Sequence, residues 1–93
     1  VSKDSGIGTV REDILIQDLD VVLEAKCTRD SMTLKKLIEE IEADIVHYHE
    51  KNIFFYVYDK KKIIKETKNF NDYFNKQIDR KTVKLFVLQP VKL

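Results

Sequence analysis

Three side chains near the start of the chain have the types that phosphate chemistry uses. Asp13 lies in "REDILI", and Glu24 and Lys26 lie in "VVLEAKCT". Two carboxylates suit a hard cation, and an ammonium beside them suits a phosphate oxygen or an oxyanion. The question is whether the fold can bring them together. Acid-x-Lys by itself says little, because it recurs at Asp59–Lys61, Glu66–Lys68 and Asp79–Lys81. Only Glu24–Lys26 closes an apolar run that has another acid in the run before it.

The two runs, "EDILIQ" and "VVLEAKC", flank a polar turn centred on Asp18 and Leu19 and read as a β-hairpin. A turn symmetric about that point sets Ile16 opposite Val21, Ile14 opposite Leu23, Asp13 opposite Glu24, and Arg11 opposite Lys26. Directly opposed residues share a face of the sheet. One face then carries Ile14, Ile16, Val21, Leu23, Ala25 and Cys27 and is expected to be core. The other carries Leu15 and Val22 near the turn, with Asp13, Glu24, Lys26 and Arg11 gathered at the open end. Opposed carboxylates have Cβ atoms about 5 Å apart, and at an effective dielectric of about 20 they repel by about 3 kcal/mol. A favourable cross-strand pair returns only about 0.2 to 1 kcal/mol. The corner therefore calls for a cation: Lys26 and Arg11 supply part of it, and Mg²⁺ or Mn²⁺ would supply more.

The rest of the chain supplies the frame. Residues 31–51 predict a helix with Leu34, Leu37, Ile38, Ile41, Ile45 and Tyr48 in one apolar stripe, capped by Asp30, Ser31 or Thr33. Glu40 and Asp44 lie one turn apart on its polar border. "NIFFYVY" (52–58) is apolar on both faces, as expected of a central strand covered on two sides. A second helix runs from Thr67 to about Gln77 through Phe70, Tyr73 and Phe74, and "TVKLFVLQP" is a last strand stopped by Pro90. Strand–helix–strand steps want parallel crossovers. The fold class expected is α/β, with a mixed sheet in which an N-terminal antiparallel hairpin is followed by helix, strand, helix and strand.

These residues and their order resemble the PD-(D/E)XK nuclease superfamily, the restriction-endonuclease-like fold. The resemblance runs from "REDILI" and "VVLEAKCT" through "EEIEADIVHY" to "IFFYVYD", and is nearest to short nuclease modules attached to larger bacterial proteins. It implies Mg²⁺- or Mn²⁺-dependent hydrolysis of phosphodiester bonds in nucleic acid, with DNA as the partner and endonuclease activity. Asp13 and Glu24 would bind the metal with the backbone carbonyl of Ala25, and Lys26 would position the attacking water or stabilise the transition-state charge. Glu40, Arg11 and Thr28 would be accessory residues. The superfamily core begins with a helix before the hairpin, which residues 1–10 cannot supply, so a core lacking its first helix is expected. The alternative is a catalytically inactive relic of the same fold that binds nucleic acid or protein. A third reading is an interaction module whose Glu-x-Lys is accidental.

Size and composition fit one small domain. The chain has 93 residues, 43% hydrophobic and 35% charged, with a net charge of +1, so it is not disordered and has no global basic field to draw in a polyanion. Residues 1–10, which hold both glycines, read as a flexible lead-in, and 11–93 as the nuclease-like domain. Cys27 is the only cysteine, which excludes a disulfide framework and points to a reducing, cytoplasmic setting. Cys27 itself falls on the expected core face and reads as a buried small hydrophobe. No apolar stretch approaches the roughly 18 to 20 residues of a membrane span. Val1 in place of Met suggests a segment of a longer protein with further domains, and nucleases of this kind often pair as homodimers.

Overall fold

The structure, a computed structural model, describes residues 12–78 and 80–91, with Glu12, Asp13, Gln17 and Gln77 described by their backbone alone. β1 (Glu12–Ile16) and β2 (Val21–Cys27) form a hairpin, followed by α1 (Leu34–His47), β3 (Asn52–Tyr58), α2 (Thr67–Phe74), β4 (Gln77–Ile78) and β5 (Lys81–Leu88). The sheet has five strands in the order β1-β2-β3-β5-β4. β2, β3 and β5 are parallel, and each outer strand is antiparallel to its neighbour. The expected mixed α/β sheet is present. The short β4 is an addition: the second helix stops at Phe74, and Gln77–Ile78 folds back along β5.

The hairpin register is the one the turn predicts, with Ile16 opposite Val21, Ile14 opposite Leu23 and Asp13 opposite Glu24. The turn is a single 3-10 turn, Gln17–Leu19, closed by Asp20 at φ 54°. That left-handed backbone is one Asp tolerates better than most residues.

Which face is core is the reverse of expectation. Val22 and Glu24 are fully buried, whereas Ile14, Ile16, Ala25 and Cys27 are exposed and Leu23 is half-buried; of the face expected to be core only Val21 is buried. The helices decide this. Two parallel crossovers of one hand, advancing across the sheet in one direction, put both helices on the same side. Leu37, Ile41 and Ile45 of α1 and Phe70 and Phe74 of α2 pack on Val22, Ile53, Phe55, Val57, Val83 and Leu85. Among the described residues the opposite face is bare. β3 is therefore covered on one side, not two, with Tyr56 44% and Tyr58 43% exposed, and Cys27 is an exposed thiol rather than a buried one.

Most of the α1 stripe is as expected: Leu37, Ile41, Ile45 and Tyr48 are buried and Ile38 partly so, but Leu34 is exposed and the helix is shorter than 31–51. The Thr33 hydroxyl accepts from the Lys36 amide at 3.1 Å to cap the start. Among the described residues no helix is long and apolar enough to cross a membrane.

Candidate active site

Because the charged end of the hairpin faces α1, its charges meet the polar border of that helix. Glu40, Asp44 and Tyr48 stand one turn apart and lie over the end of β2. Lys26 Nζ sits among their acids, 3.1 Å from Glu24 Oε2, 2.7 Å from Asp44 Oδ2 and 3.8 Å from Glu40 Oε1. The Tyr48 hydroxyl donates to Glu24 Oε1. Arg29, just past β2, reaches Glu40 Oε2 at 2.8 Å. The cluster runs from Glu24 in the middle of β2 to Lys26 and Arg29 at its carboxyl end, the side of such sheets where ligands usually bind.

The protonation states follow from this packing. Burial alone would push the Glu24 carboxyl up. Its hydrogen bonds with Asp44 and Tyr48 and the charge of Lys26 outweigh burial and hold it at about 2. Asp44 is pushed up to about 6 by burial and by the neighbouring Glu24, only partly offset by Lys26. Burial would lower Lys26, but the two carboxylates raise it above its usual value. Glu40, partly buried, is held below the usual carboxylate range by Arg29. Near neutral pH the cluster is an ammonium among carboxylates, the cation that the opposed acids call for.

The other residues expected at the site are placed as follows. The backbone of Asp13 is directly across from Glu24; its side chain, and all of Arg11, lie outside the described residues. Ala25 sits between Glu24 and Lys26, paired with Glu12 on one side and Tyr56 on the other. Thr28 is buried in a separate network, where its hydroxyl donates to Asp59 Oδ1 at 3.1 Å and accepts from the Lys61 amide at 3.0 Å. Asp59, fully buried, also accepts from the Ile63 and Ile64 amides at 3.0 and 2.8 Å and from Gln89 Nε2 at 2.9 Å. Those bonds outweigh burial and keep its carboxyl low. This network ties together the ends of β2, β3 and β5. Tyr48 is the functional candidate that pattern reading hides, because it occupies an apolar-stripe position; the four-residue spacing Glu40–Asp44–Tyr48 is the signal that exposes it.

A metal-binding reading fits the donor chemistry in part. Glu24 on β2 and Asp44 on α1 are hard oxygen donors, but no group of three or more His, Cys, Asp or Glu side chains among the described residues could hold an ion.

The fold and this corner define a restriction-endonuclease-like module. A family model described as REase_DpnII-MboI matches residues 1–90, and the chain belongs to that family of restriction endonucleases. No curated protein and no solved structure gives a significant match.

Proposed function

We propose that this domain cleaves phosphodiester bonds in DNA with the help of a divalent cation, Mg²⁺ or Mn²⁺. One observation carries the reading: in a chain of this family, the hairpin register sets Asp13 across from Glu24 while Lys26 closes the same corner at the carboxyl ends of the parallel strands. Asp13 and Glu24 would hold the cation with the carbonyl of Ala25. The ion would supply positive charge at the scissile phosphate and lower the pKa of a bound water. Lys26, kept protonated by its acidic neighbours, would orient the attacking water and stabilise charge on the phosphate oxygens. Glu40 holds Arg29 at the rim of the corner, where its guanidinium can meet the DNA backbone. Lys60 and Lys62, exposed in the loop after β3, lie at the same strand ends and add to that basic rim.

The test is cleavage of supercoiled plasmid with Mg²⁺, with Mn²⁺ and with chelator, on the wild type and on Asp13→Ala, Glu24→Ala and Lys26→Ala. Cleavage that needs the cation and falls by about 100-fold or more in each variant is expected. DNA binding without cleavage at any cation concentration would make the domain a binding relic instead.

A further inference from the structure

The hydrogen bonding around Glu24 and Lys26 leads back to α1 and from there to β5. Tyr48 is 7% exposed and belongs to the apolar stripe, a place where a hydroxyl is destabilising unless it is bonded. Here it bonds Glu24 Oε1, and Lys26 approaches the other oxygen, Oε2, at 3.1 Å. The carboxylate is thus fixed from both ends. Asp44, one turn earlier, draws the Lys26 ammonium to 2.7 Å. Asp44 stands in the last turn of α1 and Tyr48 is the residue that caps it, where the final carbonyls have no partner within a helix. In place of a C-terminal glycine motif, Lys81 reaches over from β5 and donates to the carbonyls of Ile45 at 2.7 Å and Tyr48 at 2.6 Å. The turn is pinned to β5 through its backbone and to β2 through its side chains.

We propose that Tyr48, Asp44 and Lys81 are positioning residues of the nuclease site: Lys81 anchors the end of α1 to β5, and from that anchored turn Tyr48 orients the Glu24 carboxylate and Asp44 the Lys26 ammonium. This rests on the nuclease reading above. A carboxylate that must meet a hard cation gains from having its orientation set in advance, and losing such an outer partner weakens metal binding by about 10- to 100-fold.

The experiment titrates Mn²⁺ against the melting temperature of the wild type, Glu24→Gln, Tyr48→Phe, Lys81→Met and, as a control on the exposed side of α1, Glu39→Gln. Plasmid cleavage kinetics are measured on the same proteins. Tyr48→Phe keeps the ring volume and Lys81→Met most of the stem, so both should fold. In Tyr48→Phe the Mn²⁺ midpoint should rise about 10- to 100-fold. Its kcat at limiting Mn²⁺ should fall with KM for DNA unchanged, and excess Mn²⁺ should restore it. Lys81→Met should move the same way, Glu39→Gln should behave as wild type, and Glu24→Gln should show neither shift nor rescue. A wild-type shift that Glu24→Gln abolishes while Tyr48→Phe and Lys81→Met keep the wild-type midpoint overturns the positioning role and leaves the nuclease reading standing. A wild type without any Mn²⁺ shift, or a shift that survives Glu24→Gln, overturns the nuclease reading and the positioning role with it.

Discussion

Glu24 and Asp44 sit side by side, yet burial has opposite outcomes for them. Against its burial, hydrogen bonds with Asp44 and Tyr48 and the charge of Lys26 keep Glu24 ionised down to about 2, while Asp44, buried against that carboxylate, takes up a proton near 6 although Lys26 lies 2.7 Å away. Their contributions to stability therefore run in opposite directions. Glu24 titrates lower in the folded chain than in the unfolded one, so its contribution is complete above 4.5 and is lost as pH falls toward about 2. Asp44 titrates higher when folded, so its contribution is complete below 3.8 and is lost as pH rises through about 6. Asp44→Asn should remove the second limb: the loss of unfolding free energy that the wild type shows between 3.8 and about 6 should flatten, as followed by urea denaturation across that range. An unchanged slope would mean that Asp44 is not the group titrating there.

The strand ends are held by Asp59 as much as by the sheet itself. Four donors converge on its two oxygens, from Thr28, Ile63, Ile64 and Gln89. Asp59→Asn would turn one oxygen into a donor facing donors, at about 1 to 3 kcal/mol for each bond left unmade. The expected result is a lower melting temperature and faster proteolysis within residues 59–64, with Thr28→Val giving a smaller effect of the same kind. This element shows where sequence reading succeeds and where it stops. Hairpin register, the span of β3 and the stripe of α1 are local consequences of period and turn, and the chain states them. The role of Thr28 is not local, since its partner is thirty-one residues away. Nor could the hairpin reveal its own inner face. Val22 and Leu23 are equally apolar, and the choice between them falls to helices that the hairpin does not contain.

On the scale of the whole molecule, one face of the sheet is packed and the other, among the described residues, is not. Tyr56 and Phe86 stack at 5.3 Å on that open side and are 44% and 49% exposed, and Ile14, Tyr58 and Leu88 are exposed on the same face. Parallel strands with such a face are unusual, because sheets of this kind are ordinarily covered on both sides. Substitution should separate the two faces. Leu85→Ala, fully buried, should cost about 2 to 5 kcal/mol, whereas Phe86→Thr, the next residue, should cost less than about 1 kcal/mol and reduce binding of a hydrophobic dye. Equal costs would show that the open side is covered in solution.

The acid pair is divided between strands of unequal security. Glu24 is on β2, gripped by neighbours on both sides, while Asp13 is on β1, which among the described residues is an edge strand bonded to β2 alone. Edge strands detach at a fraction of the global unfolding cost. Peeling β1 away would carry the Asp13 backbone from its place across from Glu24 and leave the core intact, so the amides of Ile14 and Ile16 should exchange with solvent far sooner than those of β3. On the nuclease reading proposed above, an ion held by Asp13 and Glu24 would slow that exchange, tying the integrity of the corner to its occupancy.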